Sequence, residues 1–139
     1  VRPAGELIAL YGGFAASIAL AVSGLALWAL SEVAGMPASA SAIRVLHLLS
    51  FAAGGPGTVV PLGLLVAGVS VPSGLTRKLP LWLVWFGLVV ALLAELSTLV
   101  LVVPGAAVLL PIGRFGAFAW LLGTAIAMPS TRSRAARTS

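Results

Sequence analysis

The chain of 139 residues is 60% hydrophobic and only 8% charged, with a mean hydropathy of +1.17. A soluble domain averages about 25% charged residues, and a chain this short has too little interior to hide so much apolar surface from water. Composition therefore excludes a soluble catalytic module and points to a single membrane domain, while the absence of cysteine excludes disulfides, thiolate chemistry and cysteine-based zinc sites. The net charge of +5 does not indicate nucleic acid, because most of the basic residues stand at segment ends, where they act as topology signals and anchors to anionic lipid.

The first predicted element covers residues 7–31, a run without a charge, preceded by Arg2 and Glu6 and followed by Glu32. A span needs about 20 apolar residues to cross a hydrocarbon core roughly 30 Å thick, so this run crosses with some tilt. Gly12, Ala16, Ala19, Ser23 and Ala26 recur at spacings of three and four, and Gly13, Ser17, Ala21 and Gly24 make a neighbouring row. Small-residue rows let helix backbones approach closely in lipid, where van der Waals packing drives association. On this ground the first helix is expected to be central to the bundle. Arg2 and the Ala38-Ser39-Ala40 sequence also fit a signal peptide and its cleavage site. The apolar run is much longer than the 7–15 residues of a signal core, which favours a retained span.

Residues 32–41 form a loop marked by Gly35, Pro37 and small polar residues. The second span is expected over residues 42–71, with Arg44 and His47 in its first turns. Gly54-Gly55-Pro56-Gly57 stands in its middle. Proline removes a helical hydrogen bond and clashes with the preceding turn, and the glycines loosen the helix further. A kink or short break is expected there, turned toward protein, since freed carbonyls need partners inside a bilayer. Broken helices of this kind build ion or substrate sites in transporters, and in other proteins they only shape packing.

A turn with Arg77 and Lys78 leads to the third span, residues 79–103, with Glu95 as its one charge and Trp82 and Trp85 in its first turns. Trp82, Trp85 and Trp28 fit interfacial belts, whereas Tyr11 and Trp120 have no such clear reading. Pro104-Gly105 turns the chain into a fourth span, residues 111–128, which begins with Pro111 in a position suited to a first helical turn and carries Arg114. The tail from residue 130 is polar and basic. Four spans put Arg2, Arg77, Lys78, Arg132, Arg134 and Arg137 on one side, against Arg44 and Arg114 on the other. The positive-inside rule then predicts that both termini face the cytoplasm.

That orientation gathers Glu95, Arg44, His47 and Arg114 in the outer half of one bundle, with Glu95 about 12 Å from the outer end by helical rise. Ser50, Ser97 and Thr98 are available to the same cluster. A charge near the bilayer centre costs about 2.5–3.5 kcal/mol on insertion scales, and such residues usually face the interior and pair. Arg44 or Arg114 is the expected partner of Glu95. The cluster reads as an ion pair that fixes helix register, as a proton or ion relay in which His47 titrates, or as a polar ligand pocket. One histidine, no cysteine and no aspartate leave no metal site, no catalytic triad and no acidic pair. No phosphate-binding or dinucleotide fingerprint occurs, so neither a cofactor nor an enzymatic role is expected.

Three stretches carry a family resemblance: LSFAAGGPGTVVPLGLLVAGVSVP from Leu49, LPLWLVWFGLVVALLAELSTL from Leu79 and LLPIGRFGAFAWLL from Leu109. Over about residues 46–129 the sequence resembles a family of uncharacterised actinobacterial multi-pass membrane proteins. That family commonly reads Leu-Pro-Arg-Trp where this chain has Leu79-Pro80-Leu81-Trp82, which removes one interfacial cation. The family pattern includes the glutamate at 95, the Gly-Gly-Pro-Gly at 54–57 and the Pro-Ile-Gly-Arg-Phe-Gly at 111–116. Its members are longer, with about six spans, which implies a short member or a piece of a longer chain. The resemblance implies a helical membrane fold and supplies no activity.

The sequence thus predicts an all-α, four-span bundle in the bacterial cytoplasmic membrane, with both termini inside. The expected role is non-catalytic, an accessory or scaffold protein packing with itself or another membrane protein. The alternative is a small transporter or channel-like protein built on Glu95, His47 and an arginine beside the Gly-Pro break.

Overall fold

The computed structural model describes residues 4–33, Pro37 and residues 40–128. These residues form α1 (Ala4–Val33), α2 (Ala40–Gly54), α3 (Pro56–Leu75), α4 (Leu81–Leu96), a 3-10 segment (Ser97–Leu101), a second 3-10 segment (Pro104–Val108) and α5 (Leu109–Ala127). They combine into four segments long and apolar enough to cross a membrane: Ala4–Val33, Ala40–Leu75, Leu81–Leu101 and Pro104–Ala127. The protein is an all-α four-helix bundle whose second member is broken at Gly55. The last segment starts earlier than the expected 111–128, because the apolar lead-in from Pro104 is itself helical. Arg2, most of the Ala38-Ser39-Ala40 motif and the tail from residue 130 lie outside the described residues.

The centre of the bundle is α3, which packs against α1, α2, α4 and α5. Its buried residues, among them Val59, Leu62, Gly63, Val66, Gly68 and Ser70, lie on several faces. This corrects the expectation that the first helix is central: among the described residues α1 meets α2 and α3 but neither α4 nor α5. The first small row of α1 does form an interface, with Gly12, Ala16, Ser23 and Ala26 buried. Here the backbones run antiparallel and nearly touch. A Cβ on Gly12 would come within 2.6 Å of the Pro61 carbonyl oxygen, and one on Gly68 within 2.6 Å of the Ala9 nitrogen. The neighbouring row turns outward only beyond Gly13, which still meets Leu65 of α3: Ser17, Ala21 and Gly24 are exposed and a Cβ on Gly24 would meet nothing within 4 Å.

The other half of the core joins α3, α4 and α5. Trp120 is 0% exposed and donates its indole N–H to the Leu83 carbonyl at 2.9 Å. The ring lies over Gly87, whose missing side chain makes room for both Trp120 and the Ser70 hydroxyl. Trp120 is thus a core residue, whereas Trp28, Trp82 and Trp85 are exposed. The outer surface of the bundle carries large bare apolar side chains, including Leu25, Trp28, Phe115, Leu122 and Ile126. Water does not tolerate so continuous an apolar exterior on a monomer, and hydrocarbon does.

Two helix ends set the connections. At the end of α3, the Arg77 amide donates to Gly74 O and the Lys78 amide to Ser73 O, with Arg77 at φ 52° in the left-handed region. This is the reverse turn that satisfies the last carbonyls of a helix, here made without glycine. At the end of α4 the chain tightens into a 3-10 helix, and the buried Ser97 hydroxyl donates to Ala94 O at 2.6 Å.

Candidate functional site

The polar residues converge on the break between α2 and α3. Pro56 has no N–H, so the carbonyls of the last turn of α2 lose part of their ladder. The ladder restarts when the Thr58 and Val59 amides donate to Gly55 O at 3.1 and 3.0 Å. Two carbonyls upstream find side chains. The Thr58 hydroxyl donates to Ala53 O at 2.8 Å, and the Arg114 guanidinium donates through Nη2 to Gly54 O. Beside them the Ser23 hydroxyl of α1 donates to Ser50 O at 2.9 Å, with the two hydroxyls 3.3 Å apart. Ser23, Ser50 and Thr58 are buried and Arg114 is half-buried. The result is a polar patch shared by α1, α2, α3 and α5 that reseals the backbone around Gly54-Gly55-Pro56-Gly57.

Of the four charged or titratable residues expected to cluster, Arg114 alone is tied to this patch. Its engagement with Gly54 O corrects the expected pairing with Glu95, since among the described residues no ion pair joins Glu95 to Arg114, Arg44 or His47. Glu95 is exposed in the last turn of α4, with its carboxylate against α3, where a Cβ on Gly63 would lie 3.6 Å from Oε1. Arg44 and His47 are exposed on α2, and Thr98 is exposed past the end of α4. The physical reason for the different pairing is competition. A guanidinium at the depth of a broken helix is offered a carbonyl that has lost its own amide, and a desolvated carbonyl without a donor is costly.

Sequence reasoning missed Ser23 as a member of the site. The available signal was its place on the buried small row of α1, where a hydroxyl among Gly and Ala needs an acceptor. Ser97, considered for the cluster, instead closes locally onto Ala94 O. Among the described residues no group of three His, Cys, Asp or Glu side chains could hold a metal ion.

No protein-family model, curated protein or solved structure matches the chain.

Proposed function

We propose that this chain is a small multi-pass protein of the bacterial cytoplasmic membrane that acts without catalysis, as an accessory or scaffold protein, by packing against another transmembrane helix. The observation that carries this reading is the outward row of α1: Ser17, Ala21 and Gly24 stand exposed on a helix that uses its other small row to bind α3. In lipid such rows favour close helix approach, and the flanking exposed side chains Leu20, Leu25 and Trp28 give the shape into which a partner's side chains would fit. The partner helix is supplied by a second copy of this chain or by another membrane protein. The inward placement of both termini is supported by Arg77 and Lys78 at the turn between α3 and α4, against Arg44 and Arg114 toward the other end. The transporter alternative has less support, because Glu95, His47 and Arg44 do not join Arg114 at the break.

The chain contains no cysteine, so single cysteines report cleanly. Ser17→Cys and Gly24→Cys should form disulfide-linked or bis-maleimide adducts in native membranes. Their mass distinguishes a second copy from a different protein. Ile126→Cys, on the fully exposed side of α5, should not. Equal adduct yields from all three positions would remove the outward row of α1 as a packing surface.

A further inference from the structure

α1 and α5 both flank the break, yet among the described residues they do not touch each other. Between them lies a groove of about 470 Å3 whose floor is Gly54, Gly55 and the polar patch. Its walls include Leu20 and Leu27 of α1, Phe51 of α2 and Phe115 of α5, all exposed, so the groove opens sideways onto the apolar exterior. Arg114 lines it from α5. We propose that this groove binds a single-chain fatty acid, with its carboxylate on the Arg114 guanidinium and its acyl chain between α1 and α5.

Charge is the first argument. The guanidinium has five N–H donors, and Nη2 is engaged by Gly54 O. No carboxylate of the described residues neutralises it. A planar cationic fork facing an apolar groove selects a carboxylate or a phosphate, which it holds through paired hydrogen bonds.

Two further observations choose the carboxylate. The hydroxyls of Ser23 and Ser50 already have partners in each other and in backbone carbonyls. The guanidinium is therefore the main polar group on offer, which suits an anion with no other polar substituent and disfavours a glycerol or sugar headgroup. Depth gives the same answer, on the membrane-spanning reading above but independently of the packing role. α1 is about 45 Å long by helical rise, about 15 Å more than the hydrocarbon core, and Ser23 lies about 15 Å inside its Val33 end. The patch therefore lies about 7 Å beneath the hydrocarbon boundary when the helix is centred. A phospholipid phosphate would have to leave the headgroup layer with its substituent, whereas a fatty carboxylate sinks alone. The volume is within the range of small-ligand sites.

The test uses the full chain in zwitterionic nanodiscs and a palmitate analogue with a diazirine on its chain. Labelling should map to peptides covering residues 20–27 and 110–115. Palmitate should compete, and hexadecanol and phosphatidylglycerol at the same concentration should not. Arg114→Gln should weaken palmitate binding by about tenfold or more, the effect of losing a charge-assisted contact. Leu27→Trp, which fills the groove from α1 and leaves the guanidinium untouched, should weaken it comparably with the unfolding temperature unchanged. Competition by hexadecanol as strong as by palmitate would overturn the carboxylate site. Equal competition by phosphatidylglycerol would reassign the groove to phospholipid. Native affinity in Leu27→Trp would remove the groove altogether, and this variant decides the matter if Arg114→Gln does not fold.

Discussion

Arg114 reaches across the bundle from α5 to the carbonyl of Gly54, sixty positions earlier in the chain, and takes the place of the Thr58 amide, which at the break turns to Gly55 O instead. A cation recruited to a backbone acceptor explains how a Gly-Gly-Pro-Gly sequence is tolerated in the middle of an apolar helix. The break needs a donor from outside its own strand of chain, and α5 provides one with a long enough reach. Thr58 completes the repair from α3 at Ala53 O, and the Ser23 hydroxyl of α1 sits beside it on Ser50 O.

Arg114→Ala should therefore destabilise the bundle by roughly 1.5–3 kcal/mol, the range for a hydrogen bond to a charged group together with the acceptor it leaves unpaired. Arg114→Lys keeps the charge and a three-donor ammonium, gives up the planar fork and should lose less. Thermal unfolding in a mild detergent, followed by helical circular dichroism, measures both. An alanine variant within about 0.5 kcal/mol of the native protein would mean that the Gly54 carbonyl finds another donor.

Two glycines should respond to the same substitution with opposite signs. Gly87 of α4 sits under Trp120 and Ser70, so a methyl group there collides with both and should cost about 1–3 kcal/mol as an overpacked core. Gly24 of α1 faces open space, so alanine there should gain up to about 1 kcal/mol from helix propensity. The intrinsic fluorescence of Trp120 gives a second readout, because Gly87→Ala must move a ring that is otherwise fully buried. Equal stability of the two variants would contradict the packing described for α3, α4 and α5.

The break at 54–57 was legible because its cause is covalent: proline lacks a donor wherever it stands. The four apolar segments were legible for the same kind of reason, since length and composition alone decide whether a helix can cross a bilayer. Which helix lies in the middle was not. The small residues of α1 form two clean rows and attract notice, whereas α3 is contacted from several sides and so carries Gly63, Gly68, Ser70 and Val66 around its circumference with no single stripe to see. Periodicity reports one interface at a time, and a central helix has several. The partner of Arg114 was illegible because orientation along the membrane fixes a residue's depth but not its azimuth. At equal depth a carboxylate and a released carbonyl compete, and the rotation of α5 about its own axis, set by Gly113, Ala117 and Trp120 packing inward, decides between them.

Glu95 provides the test of what remains of the polar cluster. It is the sole acidic residue within residues 79–103, it is exposed in the last turn of α4, and it makes no ion pair among the described residues. A side chain that neither pairs nor packs in the core contributes little to stability, so Glu95→Gln should shift unfolding by no more than about 0.5 kcal/mol. Its removal also takes a charge out of an apolar segment, which makes a small gain as reasonable as a small loss. The same variant separates the two functional readings. In proteoliposomes carrying a pH gradient, a packing protein should leave the gradient intact in both native and Glu95→Gln forms. Dissipation by the native chain that disappears with glutamine would instead make Glu95 part of a proton path. It would also require Arg44 or His47 to approach it in a second arrangement of the bundle, since α2 holds both on an exposed face here.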